Sequence, residues 1–429
     1  PDGFFLLLLA PGPGENTGPV DKDVLLVLDR SGSMDGEKFQ QAQAALRYIL
    51  SRLNPQDRFY VQAFSTGIET YADGLRPASE AKEALKWVDR LSAAGSTDIN
   101  RALLEAVSVI DKERPAYLIF LTDGLPTEGV VDTNEILRSF SGSAPDNLRL
   151  FSFGVGYDVD TILLDELSRE HHGLSTYVRP EEPLDEVLSA FYQRISTPVL
   201  TGLELDFGSL STYDIYPNPL PDLFAGSQVV IVGRYRGGGV TEVTLRGEVN
   251  GQQQKFTYPQ QEFASDSRGQ PGSLEMLPRL WATRKIGRLL NQIHLEGPQK
   301  ETIDQIVKLS IRYGIVTPYT SYLVKEPVLL GAEAQEQIVE NALSQAEAAP
   351  LEASGKAAVD RAAQEGRMQA ADAAPGAPQP ETSSQGQETA VRIVGPRTFL
   401  LQDGAWVDTT FDPQRMTAQE IEFLSDAYL

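Results

Sequence analysis

The stretch Val24-Leu25-Leu26-Val27-Leu28-Asp29-Arg30-Ser31-Gly32-Ser33-Met34 decides the fold. It opens on an uninterrupted apolar run of strand length, too short and too β-branched for a typical helix. Such a run reads as a strand buried on both faces of a parallel sheet. It ends in an acid. Asp29, Ser31 and Ser33 then follow at alternate positions in a loop freed by Gly32, before a helical pattern opens near Glu37 and Lys38. In an open α/β sheet, ligands bind beyond the carboxyl ends of the strands, so these oxygens stand where a site is expected. One carboxylate and two hydroxyls are hard ligands that suit Mg²⁺ or a similar ion.

Working outward, strand and helix patterns alternate as a doubly wound α/β fold requires. Helical periodicity covers Lys38–Leu53, Ser79–Leu91, Ile99–Lys112, Thr133–Phe140, Thr161–Glu170 and Leu184–Ile195. Strands fall at Arg58–Phe64, Ala116–Thr122, Arg149–Gly154 and Leu174–Val178. The order is Rossmann-like, but no G-x-G-x-x-G follows the first strand, and dinucleotide binding is not indicated. Two further stretches carry oxygen ligands. Gly95-Ser96-Thr97-Asp98 places a threonine just before a helical segment, and the apolar run Tyr117–Leu121 ends in Thr122-Asp123-Gly124. Taken singly, Asp29 and Thr97 read as helix caps and Asp123-Gly124 as a turn. Their joint occurrence in this order calls for a common explanation.

D-x-S-x-S, then a threonine, then a strand-terminal aspartate resembles the metal-ion-dependent adhesion site of the von Willebrand factor A domain, and all five positions match. The resemblance implies that Ser31, Ser33 and Thr97 touch the metal and face the ligand, while Asp29 and Asp123 hold the ion directly or through water. It further implies Mg²⁺ as cofactor, with Mn²⁺ or Ca²⁺ as alternatives, and a partner protein whose Glu or Asp carboxylate completes the coordination. Self-association through a neighbouring chain's acid is a variant of the same chemistry. Asp35 and Glu37 lie near a second metal site of integrin-type A domains, but Gly36 replaces one of its acids.

Composition narrows the partners. Of 429 residues, 37 are basic and 60 acidic, and the formal net charge of -23 opposes nucleic acid and anionic membranes. The absence of cysteine excludes disulfides, thiolate zinc sites and cysteine nucleophiles. His171-His172 before Gly173 reads as a helix C-terminus rather than a ligand pair. Phe4–Ala10 is too short to span a bilayer and reads as a buried strand. It leads through a Pro/Gly-rich connector, Pro11–Pro19.

After Pro198 the pattern changes to short β segments at Val199–Phe207, Gln228–Arg234, Val240–Val249 and Gln254–Tyr258, as in a small sandwich. If Phe4–Ala10 pairs with this region, the α/β domain is inserted in a β domain built from both flanks. Two amphipathic helices, Leu274–Leu295 and Lys300–Tyr313, come next, with Arg279, Arg284, Lys285 and Arg288 read as a solvated face. Ile315–Val324 reads as extended. Arg312-Tyr313-Gly314-Ile315-Val316-Thr317-Pro318, together with Leu280-Trp281-Ala282, is similar to the region after the A domain in inter-alpha-trypsin inhibitor heavy chains and their bacterial relatives. That resemblance covers roughly residues 2–326. It implies an extracytoplasmic protein, and a β domain preceding the A domain that this sequence lacks.

The sequence therefore divides into an N-terminal strand and connector (1–19), an A domain (20–197), a β-sandwich-like domain (198–270), a helical region with a strand (271–330), a flexible linker (331–390) rich in Ala, Gln and Glu, and a C-terminal hairpin and helix (391–429). Gly331–Ala348 has the composition of a helix, while Pro350 and Ala373–Gln387 read as a tether. The expected function is non-enzymatic, metal-dependent protein binding. Two alternatives are a subunit of a chaperone or chelatase-type assembly served by a separate ATPase, and a phosphatase-like hydrolase using Asp29. The hydrolase lacks its second acid, because Ser31 stands there.

Overall fold

The computed structural model of the chain describes residues 2–11, 20–264, 276–320, 332–348, 352–372, 391–394, 397–402, 405–409, 411 and 416. Two compact units form, one from Pro1–Gly269 with Glu352–Ala370, the other from Gln270–Leu351 with Ala371–Leu429. The first unit opens on β1 (Asp2–Leu9). Its α/β part runs β2 (Asp23–Asp29), α1 (Glu37–Ser51), β3 (Arg58–Phe64), β4 (Ile68–Thr70), β5 (Arg76–Pro77), α2 (Ala81–Val88), α3 (Ile99–Ser108), β6 (Ala116–Thr122), α4 (Thr133–Ser141), β7 (Leu148–Val155), α5 (Thr161–Glu170), β8 (Ser175–Val178) and α6 (Leu184–Ile195).

These strands make one sheet in the order β4-β3-β2-β6-β7-β8, with β5 also on β3. β2 pairs in parallel with both β3 and β6. The chain steps from β2 to β3 on one side and later returns to β6 on the other, so the direction of winding reverses at β2. The crevice between the carboxyl ends of β2 and β6 is the switch point at which such sheets bind ligands. Both faces of β2 are covered, which is why its sequence is apolar without alternation. Val24, Leu26 and Leu28 pack beneath α1, α2 and α6, whereas Leu25 and Val27 pack beneath α3, α4 and α5.

The sandwich consists of β9 (Pro198–Asp206), β10 (Ser211–Tyr216), β11 (Leu223–Phe224), β12 (Val229–Arg236), β13 (Gly239–Val249) and β14 (Gln252–Phe263). The strands form sheets β1-β12-β10 and β11-β9-β13-β14 over a shared apolar core. β1 pairs antiparallel with β12 along its whole length, Asp2 opposite Arg236 and Leu9 opposite Val229. The first strand thus joins strands that follow the α/β part in sequence. Across this pair a Cβ on Gly3 would lie 2.1 Å from the Tyr235 ring, and one on Gly233 2.5 Å from the Phe5 ring. Each glycine makes room for the aromatic ring opposite.

Several expectations need correction. β1 is covered on one face only, with Phe5 and Leu9 inside but Leu6 and Leu8 exposed, because it is an edge strand of a two-layer sandwich. β10 has no counterpart in the sequence reading: it is polar, and its ladder with β12 is interrupted by a register shift near Asp214. Residues 352–370 are not a tether. Their helix, written α10 below (Lys356–Gln369), lies against β8 and α5 and buries Val359 and Ala362 in the core under α3, α4 and α5. Gly355 N–H donates to the Tyr157 carbonyl at 2.8 Å, Thr161 N–H to the Ala353 carbonyl at 2.8 Å, and Arg179 pairs with Asp360 at 2.9 Å. A stripe of alanines and one valine carries little hydrophobic signal, yet small residues allow close approach.

The second unit contains α7 (Leu277–Glu296), α8 (Lys300–Tyr313), α9 (Ala332–Ala348) and the antiparallel strands β15 (Val391–Val394), β16 (Arg397–Gln402) and β17 (Ala405–Asp408). Arg279 and Arg284 of α7 are 5% and 3% exposed, not part of a solvated face. Arg284 Nε donates to the Ala371 carbonyl at 2.7 Å, which satisfies part of the buried guanidinium. Gly314 ends α8 in the left-handed conformation at φ 62, which glycine adopts freely. Pro318–Thr320 turns rather than extending. Residues 12–19 of the connector, 321–324 of the extended segment and the helix expected at the end of 391–429 lie outside the described residues.

Candidate metal centre

β2 delivers Asp29 to the carboxyl edge of the sheet, wholly buried. Its Oδ1 accepts the Ser31 N–H at 2.7 Å, and its Oδ2 accepts the Thr122 hydroxyl at 2.6 Å. The first bond folds the loop back on the strand end. Met34, wholly buried, plugs the loop into the core and leaves Ser31 and Ser33 at the edge. The serine hydroxyls are 3.1 Å apart. Ser33 donates to Asp123 Oδ1 at 2.7 Å, which ties the β2 loop to the β6 loop across the switch point.

Thr97 comes from a third loop, docked on the first by Ala94 N–H to the Arg30 carbonyl at 2.6 Å and Gly32 N–H to the Gly95 carbonyl at 3.0 Å. Its own N–H donates to Thr127 Oγ1 at 3.0 Å, and its carbonyl accepts from Thr127 and Glu128. A Cβ on Gly124 would lie 3.8 Å from Thr97 Oγ1 and 4.0 Å from Ser33 Oγ, so the missing side chain leaves open the space that these hydroxyls border. All five residues expected from the sequence are brought to one edge. The capping alternatives resolve otherwise: Asp98, not Thr97, caps α3 by accepting the Arg101 N–H, and Asp29 caps no helix.

Burial pushes the Asp29 carboxyl up to about 6, against the pull of its hydrogen bonds from Thr122 and Ser31. Asp123 lies 2% exposed beside it. Two buried carboxylates with three hydroxyls form an oxygen-only, acceptor-rich set, and the space at Gly124 leaves an approach. The donor set fits a hard divalent cation. One positive charge is already there: Lys38 Nζ donates to Asp123 Oδ2 at 2.7 Å and reaches the Ser33 carbonyl at 3.4 Å. Sequence reading missed it. The available signal was a lysine in the first turn of α1, where the helix dipole disfavours a cation.

Neither His171 nor His172 approaches this edge. His171 ends α5, and its carbonyl accepts the Leu150 N–H near the start of β7, toward the opposite end of the strands. Asp35 is exposed and closes a short 3₁₀ turn (Gly32–Met34). Among the described residues, no cluster of three or more His, Cys, Asp and Glu side chains is placed to hold a metal, so any ion here depends on the hydroxyls.

This sheet, with a D-x-S-x-S loop at its switch point, defines a von Willebrand factor type A domain, and residues 23–189 match that family. A solved structure described as von Willebrand factor type A from Catenulispora acidiphila is similar in fold, with TM-score 0.51 and 16% identity over 85% of this chain and 95% of that one. Over 76% of its length the chain is similar to inter-alpha-trypsin inhibitor heavy chains. It is 29% identical to human heavy chain H2 over 343 residues, 76% of this chain and 36% of that protein, and 30% identical to human heavy chain H4 over 346 residues, 76% and 37%. It thus spans little more than a third of the length of these relatives.

Proposed function

We propose that the chain is a non-enzymatic protein-interaction module whose A domain captures a partner's Glu or Asp carboxylate at a metal centre. The observation that carries this reading is the convergence of Asp29, Ser31, Ser33, Thr97 and Asp123 from three loops onto the open switch point of the sheet. Ser31, Ser33 and Thr97 would hold the ion, with Asp29 and Asp123 close by to bind it directly or through water. When bound, Mg²⁺, or Mn²⁺ or Ca²⁺ in its place, supplies an electrophilic centre that an anionic side chain completes. The protein's part is positional. Asp29 holds the serine loop through the Ser31 N–H, and the backbone bonds of Thr97 orient its hydroxyl.

The von Willebrand factor A assignment and the kinship with inter-alpha-trypsin inhibitor heavy chains support an interaction module. Among the described residues no helix is long and apolar enough to cross a membrane. We place the protein in an extracytoplasmic, bacterial setting, with self-association through the same centre as a variant.

Thermal unfolding of wild type and Asp29→Ala, each with excess Mg²⁺ or Mn²⁺ and with chelator, tests the centre. Binding to the native state alone stabilises by about 2.7 kcal/mol at a hundredfold excess over Kd. A metal-dependent rise in wild type that the variant lacks is the expected result. No rise either in wild type or in a variant lacking the Lys38 charge would refute the metal centre. A metal-loaded protein that binds glutamate-bearing peptides no better than their glutamine counterparts would refute carboxylate capture.

A further inference from the structure

Lys38 is the feature of this edge that the metal reading leaves unexplained. It occupies the second position of α1, a helix whose N-cap residue, Gly36, offers no side-chain hydrogen bond. A cation there opposes the helix dipole, so its placement needs a compensating anion. That anion is Asp123, whose side chain is fully buried and which also accepts from Ser33. Nζ thus holds one carboxylate oxygen of the five-residue set while Ser33 holds the other. The lysine side chain is 40% exposed and can leave toward solvent. A Cβ on Gly156, in the loop after β7, would lie 3.9 Å from Nζ, so glycine keeps that side of the ammonium uncrowded.

We propose that Lys38 is a built-in counter-cation of the metal centre, which neutralises Asp123 when no ion is bound and competes with the ion for that carboxylate. This rests on the metal-centre reading and adds that an internal charge sets the centre's affinity. Two buried acids facing each other without a cation would repel and incur a desolvation cost, and the ammonium offsets both. A divalent ion approaching the same oxygens meets a positive charge that must swing away first. The centre is therefore a switch between two cations, one covalently attached.

The test measures Mn²⁺ binding to the full chain by calorimetry and by the loss of free-ion paramagnetic resonance, for wild type, Lys38→Met and Lys38→Arg. Unfolding in chelator is followed in parallel. Lys38→Met keeps the stem and removes the charge. It is expected to melt lower in chelator and to bind Mn²⁺ tighter than wild type by roughly tenfold or more. Lys38→Arg should bind no tighter than wild type. Binding by Lys38→Met alone, with wild type silent, would also support the proposal. Equal or weaker binding by Lys38→Met, with wild type binding, would overturn it and leave the metal centre standing. Absence of binding in both wild type and Lys38→Met would overturn the metal centre and this proposal together.

Discussion

Glu365, in the helix α10 that returns to the α/β domain, gives the sharpest prediction about stability. It is 3% exposed, and its Oε2 has no hydrogen-bond partner among the described residues. Burial first, and the nearby Asp165 carboxyl second, push it from 4.5 up to about 8. At 1.36 kcal/mol per unit, that rise corresponds to at most about 5 kcal/mol. Because the folded value lies above the unfolded one, the native state holds the extra proton between these limits. Its contribution to stability is full below about pH 4.5, falls as pH rises, and is lost once pH passes about 8. Asp165, pushed by burial up to about 6, follows the same sign at lower pH and is spent by then. From pH 6.5 to 8.5 Glu365 accounts for a fall of about 2 kcal/mol. Glu365→Gln keeps the shape and does not titrate. Urea midpoints across this range should fall in wild type and stay level in the variant. The rate of cleavage by trypsin at Arg361 and Arg367, taken relative to Glu365→Gln at each pH, should rise with pH, if α10 leaves first. Equal pH slopes for the two proteins would refute the reasoning.

Other outcomes follow from single contacts. Lys22 and Asp57 form a buried ion pair at 2.6 Å, and Lys22 also donates to the Ser196 carbonyl at the end of α6. Asp57→Ala strands the ammonium and should cost about 3–5 kcal/mol in denaturant unfolding. A Cβ on Gly173 would fall 1.6 Å from the Leu150 carbonyl oxygen, so Gly173→Ala should cost about 3 kcal/mol or more, read as a lowered Tm. Asp98→Ala removes the α3 cap and should cost about 1 kcal/mol. Thr97→Ala, by contrast, should abolish Mn²⁺ binding with a smaller change in Tm. The pair of variants separates cap from ligand.

The α/β core was legible because its signals are local. A strand covered on both faces must be apolar throughout, as Val24–Leu28 and Tyr117–Leu121 are, and its helices show their buried face every third or fourth residue. The candidate site residues were legible as an ordered set, D-x-S-x-S, then a threonine, then a strand-terminal aspartate, which the resemblance to a known family singled out. Elements whose stability comes from elsewhere were not. β10 is polar and held by its ladder with β12, and α10 shows three small buried residues that only a neighbouring helix and strand turn into a core.

The sequence by itself indicated the class of fold and the alternation of strands and helices in the α/β domain, from spacing within short windows, and five candidate oxygen-bearing residues, from their order along the chain. Tertiary structure alone decided that β1 joins β12, that residues 352–370 dock on the α/β domain, that Arg279 and Arg284 lie inside, and that Lys38 shares Asp123 with the serine loop. Each of these joins segments far apart along the chain through burial or charge. Those energies exist only once the partners meet, and no local pattern encodes them.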